Sequence, residues 1–220
     1  MLSENFRDAV MRLPAVSFSL FFVYRELAGL RTWLGAHPYW GGDVDFAVAL
    51  FARIALILFL VLLAVLHLTR RRPVKKHHEW RPKIEALLGL LFFYLLLLLP
   101  RAEPDAYWDT ASALLIVTGN MLAVLAVLDL GRSLSVMPEA RKLVTDGIYG
   151  IVRHPLYLSE AVAMFGIFLQ FRSVTALVIV LIEYFWQIRR MGWEERILEQ
   201  AFPEYDAYRR DTARLIPRVY

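Results

Sequence analysis

Two short polar clusters hold the side chains best suited to chemistry. In the first, Arg153-His154-Pro155 closes a turn-rich stretch that runs straight into an apolar segment beginning near residue 156. Proline suits the first position of a helix, where its missing N–H costs nothing. Arg153 and His154 would then sit at the positive end of the helix dipole, beside unpaired backbone N–H groups, in a site for a carboxylate or phosphate. The same tripeptide also reads as a membrane boundary with an arginine reaching out to water. The second cluster, Arg189-Arg190-Met191-Gly192-Trp193-Glu194-Glu195, follows the next apolar segment. Glu194 and Glu195 are expected to open an amphipathic C-terminal helix. They are either a solvated face that complements the helix dipole, or one carboxylate turns inward to bind a cation or hydroxyl groups.

Glu160 and Glu183 fall inside apolar segments, at nearly equal depth if the chain folds back about Arg172 and Ser173. Carboxylates are expensive there and usually face a cavity or a partner. Glu160, close to the Arg-His-Pro turn, is the stronger site candidate. Asn120 is expected to hydrogen-bond between helices, and Arg25, Glu26 and Arg53 to form a structural ion pair. His77 and His78 lack metal-ligand spacing, so no metal site is expected. With no cysteine in the chain, thiolate nucleophiles and disulfides are excluded. No dinucleotide fingerprint, P-loop or nucleophile elbow is present.

The elements that must position these residues are membrane helices. Hydrophobic residues make up 58% of the chain and gather in long uncharged runs, the mark of an integral membrane protein. Apolar segments lie at 14–34, 44–68, 83–100, 108–130, 156–171 and 173–189. The first is interrupted by Arg25 and Glu26, and either spans or lies in the interface. The net charge of +4 comes from basic residues placed beside these segments, which is what orientation in a bilayer demands, so nucleic acid is not the expected partner. Basic residues crowd 69–83 and 131–155, whereas 35–43 has no Lys or Arg. Six crossings put every basic connection, and both termini, on the cytoplasmic side, in the manner of a bacterial inner-membrane protein. No cleavable leader is expected, because Glu4, Arg7, Asp8 and Arg12 precede any apolar run. The last two segments, of roughly 16 residues or about 24 Å each, are expected to form a tight antiparallel hairpin. The expected class is therefore all-α: a polytopic membrane protein with a cytoplasmic helical cap, scaffold helices over 1–130 and the motif-bearing part over 131–220.

Residues 143–217 also carry an ordered set of motifs: Leu143-Val144-Thr145-x-Gly147-x-Tyr149, Arg153-His154-Pro155-x-Tyr157, Glu194-Glu195-x-x-Leu198, Phe202, Tyr205-x-x-Tyr208 and Arg214-Leu215-Ile216-Pro217, with Gly131-Arg132-Ser133 ahead of Pro138. In this the chain resembles the isoprenylcysteine carboxyl methyltransferase and phospholipid methyltransferase superfamily of integral membrane enzymes. The resemblance implies S-adenosyl-L-methionine as methyl donor, bound at the cytoplasmic face. Its carboxylate would suit the helix start at Arg153, His154 and Pro155, and its ammonium and ribose Glu160, Glu194 or Glu195. Its adenine would suit a slot of Tyr149, Tyr157, Leu158 and Trp193. Arg189 or Arg190 would hold a carboxylate acceptor, and Glu160 or His154 would be the base for an amine. The acceptor, a lipophilic small molecule or prenylated substrate, would enter sideways among the membrane lipids. Two other readings are an NADPH-dependent sterol-type membrane reductase, which predicts more basic residues for a 2′-phosphate, and a non-catalytic membrane module.

Overall fold

In the computed structural model, residues 12–36, 44–76, 79–135 and 139–217 are described. His77, His78 and Pro138 lie outside them. The chain divides into two compact units, Met1–Arg72 and Pro73–Tyr220.

The first unit is a pair of packed helices, α1 (Leu13–Ala36) and α2 (Val44–Thr69). Arg53 does not pair with Glu26 as the sequence suggested; its guanidinium lies 5.4 Å above the ring of Trp33. Arg25 lies 5.6 Å from the ring of Phe22. An aromatic face accepts a cation without a second charge having to leave water, so the ion pair is not needed.

The second unit runs β1 (Lys75–Lys76), α3 (Arg81–Leu97), α4 (Ala106–Leu130), β2 (Glu139–Ala140), α5 (Pro155–Leu169), α6 (Val174–Ala201) and α7 (Tyr205–Asp211), with short 3-10 turns at Gly131–Ser133 and Gly147–Gly150. Asp105 caps α4 by accepting from the Tyr107 and Trp108 amides, and Ser173 caps α6 by accepting from Ala176. Three helices are long and apolar enough to cross a membrane, over Leu13–Ala36, Leu50–Thr69 and Ala106–Ser133, and Pro155–Leu169 is a shorter apolar helix. All six apolar segments of the sequence fall on helices. The class is all-α, with one addition: β1 and β2 pair antiparallel, Lys75 opposite Ala140 and Lys76 opposite Glu139. This ribbon ties the two basic connections together, as a common membrane side requires.

α5 and α6 are joined by four residues, yet each packs mainly on another partner, α5 along α4 and α6 along α3. The α4–α5 seam is made of small residues. A Cβ on Gly119 would come within 2.6 Å of the Ala163 backbone nitrogen and 2.7 Å of the Ser159 carbonyl, so only glycine permits this approach. Ser112 donates to the Gly166 carbonyl at 2.8 Å and accepts from Gln170 at 3.2 Å. The interhelical bond expected of Asn120 is thus made by Ser112, and Asn120 faces outward. The division drawn at residue 130 marks where the motifs begin; packing continues across it from α4 to α5.

Candidate functional site

α6 is one uninterrupted helix of 28 residues, roughly 42 Å long, and outruns a hydrocarbon core of about 30 Å. Glu194 and Glu195 therefore do not open a new helix. They lie on the continuation of the last apolar segment, because hydropathy marks where the apolar run stops and nothing between 189 and 195 stops the helix. Continuity decides which way each polar residue points. Neighbours on a helix are turned about 100° apart, while residues four apart share a face. Arg190 and Glu194 share one face, with Arg190 Nε 3.4 Å from Glu194 Oε1. Arg189 and Trp193 share another, and both reach Glu85 of α3, at 2.7 Å and 2.8 Å.

Arg190 and Glu194 face a cavity closed by the Arg-His-Pro turn, the β2 segment and α7. Its wall includes Glu139, Arg141 and Lys142, then Tyr149, Arg153, His154 and Tyr157, then Glu160, Arg190 and Glu194, and on the cap side Ile197, Leu198, Tyr205 and Tyr208. Seven of the sequence candidates thus meet in one place: Tyr149, Arg153, His154, Tyr157, Glu160, Arg190 and Glu194. Tyr157 donates to Glu194 at 2.6 Å, and Arg190 lies 5.5 Å from the Tyr157 ring centroid. Tyr149 is placed by the turn before it. Gly147 has φ +61°, and its missing side chain leaves room for Asp129, whose carboxylate accepts from the Ile148 amide at 2.9 Å.

Five candidates sit elsewhere, Trp193 among them, because its indole donates to Glu85 outside the cavity. Arg189 is 45% exposed and bound to Glu85 outside the cavity. Pro155 is buried in the first turn of α5, and Leu158 packs against a cluster of Tyr157, Met191 and Leu215. Glu195 lies behind the wall and is held by three side chains: Arg153 and Arg214 each at 3.1 Å and His154 Nε2 at 3.0 Å. Burial alone would raise its carboxyl. The His154 hydrogen bond, with the charges of His154, Arg214 and Arg153, instead holds it at about 2.

The same residues fasten a strap from beyond α7. Val152 bridges Ala213, the Arg153 amide donates to the Ala213 carbonyl at 2.8 Å, and the His154 amide donates to the Arg214 carbonyl at 3.1 Å. Arg153 Nη1 also donates to the carbonyls of Arg209, at 3.0 Å, and Thr212. The Arg-His-Pro turn is thereby clamped between α6 and the strap. His154, at the N-cap of α5, makes no side-chain cap bond and spends its ring on Glu195.

The sequence reading passed over Arg141, whose buried guanidinium pairs with Glu139 in the cavity wall. In the sequence Arg141 is one of the basic residues that crowd 131–155; the opposite charge two residues earlier, at Glu139, is the available signal. Glu85 was missed because nothing local singles it out.

This geometry coincides with a likeness to known proteins. Residues 108–205 match the phospholipid methyltransferase family. That family is part of the integral membrane methyltransferase superfamily the motifs resemble. Among curated proteins, the chain is 32% identical over 82 residues to the nickel-cobalt-cadmium resistance protein NccN of Alcaligenes xylosoxydans xylosoxydans, covering 37% of this chain and 38% of that protein. It is 29% identical over 145 residues to the cobalt-zinc-cadmium resistance protein CzcN of Cupriavidus metallidurans, covering 64% of this chain and 62% of that protein. The chain thus spans less than two thirds of the length of either relative. Among the described residues, no group of three or more His, Asp or Glu side chains is arranged to hold a metal ion.

Proposed function

We propose that this chain is a membrane methyltransferase that uses S-adenosyl-L-methionine to methylate a lipophilic acceptor at the cytoplasmic membrane face. The observation that carries this reading is the coincidence of the family's matched segment with a cavity lined by three carboxylates, three arginines and four tyrosines. The donor set suits the cofactor. The first turn of α5 offers backbone N–H groups to its carboxylate, Glu160 or Glu194 suits its ammonium and ribose, and Tyr149 and Tyr157 supply aromatic surface. When bound, S-adenosylmethionine supplies an electrophilic methyl carbon.

The chain's own residues bind and align. Of the two adjacent arginines, Arg190 has the placement to hold an acceptor carboxylate of the isoprenylcysteine type, since Arg189 is turned to Glu85. Such a carboxylate is already ionised near neutral pH and needs no general base, so alignment and exclusion of water supply the rate. An amine acceptor would require a base, and Glu160 is the candidate in the wall. Glu195 serves as the fixed point of the Arg-His-Pro turn; its carboxylate is taken up by Arg153, His154 and Arg214.

The relatives' names support a second reading at the level of physiology, in which the methylation contributes to resistance to cobalt, zinc, nickel or cadmium. Growth of a deletion strain on these metals, with and without Arg190→Gln in the restored copy, tests it.

The decisive experiment is calorimetric titration of the detergent-solubilised chain with S-adenosylhomocysteine beside NADPH. Saturable binding of S-adenosylhomocysteine alone is expected, followed by transfer of labelled methyl to extracted lipids. Binding of NADPH alone would replace this reading with the reductase.

A further inference from the structure

Three of the tyrosines around the cavity differ in what their hydroxyls do. Tyr157 donates to Glu194 at 2.6 Å, and Tyr208 donates to the Tyr149 carbonyl at 2.7 Å. Tyr205, the first residue of α7, is only 1% exposed, and among the described residues its hydroxyl has no hydrogen-bond partner. Buried polar groups are nearly always bonded, and one that is not calls for an explanation. Its ring meets Tyr208 edge-on with centroids 6.0 Å apart, and Tyr208 in turn is bonded to the backbone of Tyr149. Tyr205 and Tyr208 thus form an aromatic corner of the wall, with Arg153 and Glu195 of the clamp close to the Tyr205 phenol, while Glu160, Arg190 and Glu194 lie on α5 and α6.

We infer that the Tyr205 hydroxyl is a ligand contact, completed when a nucleoside occupies the cavity and offers a ribose oxygen or a ring nitrogen to the phenol. This rests on the methyl-donor reading and adds a residue and a part of the ligand to it. A neutral phenol matches the neutral acceptors of an adenosine, and the aromatic corner gives its base a surface to lie on. The zwitterionic end of the donor is left to the charged walls. The short α7 thus contributes a bond that exists only when ligand is present, and the cap tightens on loading.

The test uses the full chain in detergent and Tyr205→Phe, with S-adenosylhomocysteine and 5′-methylthioadenosine as probes; the second keeps the adenosine and lacks the amino-acid end. Removing an unpartnered hydroxyl should leave the melting temperature of the ligand-free protein unchanged or higher. Affinity for both probes should fall roughly 3–10-fold, the size expected for one neutral hydrogen bond. Unchanged affinity would overturn the contact. Weakened binding of S-adenosylhomocysteine alone would overturn its assignment to the adenosine. A lower ligand-free melting temperature would make the hydroxyl structural and overturn the inference. If the unmutated chain binds neither probe, the methyl-donor reading fails first and this inference with it.

Discussion

The body of α5 and its N-terminal end are held by opposite means. Along the body, Gly119, Ser112 and Ala163 let α4 and α5 approach until backbone nearly touches backbone, and among the described residues Ser112 links the two by hydrogen bonds. At the end, Glu195 gathers Arg153, His154 and Arg214. Within lipid, helices gain nothing by hiding apolar surface from one another, so contact depends on shape. At the bilayer edge, charges can be placed at tolerable cost and held in direction by hydrogen bonds. The site lies where the two regimes meet: the seam fixes where α5 runs, and the clamp fixes how its first turn is presented.

Removing the hub of the clamp should have the largest effect. Glu195→Ala leaves three basic groups without their shared carboxylate and should destabilise the second unit by about 3–5 kcal/mol, read by chemical denaturation in detergent. A loss below about 1 kcal/mol would mean that packing of the strap, and not charge, closes the turn.

Acid should act on the clamp and spare the seam. The Glu195 carboxyl is lowered from 4.5 to about 2 in the folded chain, so the stability it confers is fully present above pH 4.5 and is lost as pH falls toward 2. Melting temperature should decline across that window by the equivalent of roughly 2–3 kcal/mol. Glu195→Gln should flatten the decline, whereas a Gly119 variant should keep it.

The seam is probed by Gly119→Ala. The added methyl must push backbone apart, with an expected loss of about 1–3 kcal/mol that does not change with pH or salt. Salt sensitivity in this variant would show that the seam and the clamp are coupled. The smallest effect belongs to Arg189→Ala, which removes a half-exposed pair with Glu85 and should lower stability by at most about 1 kcal/mol in the same denaturation assay.

The contrast also explains what the sequence made legible. Runs such as Ile54 to Leu68 announce themselves, and all six apolar segments proved helical because hydropathy reports the bilayer directly. The motif residues around His154 could be named because their types and order are unusual. What stayed hidden was direction. Arg189 and Arg190 differ by one residue and end on different faces, which follows only once α6 is known to continue past the bilayer. Glu195 looked as suitable for a ligand as Glu194 until the strap supplied Arg214 from nineteen residues further along the chain. Arg141 and Glu85 owe their roles to partners, and partners brought together by folding leave little trace in local spacing.

The strap has a consequence for how the protein is made. Thr212, which accepts from Arg153, is synthesised 59 residues after it, when α5 and α6 have already been synthesised. A nascent chain that stops short of residue 212 therefore has its membrane helices but an unfastened Arg-His-Pro turn. Insertion and maturation of the site are separate events in time. Truncated products would carry their helices and no finished cavity.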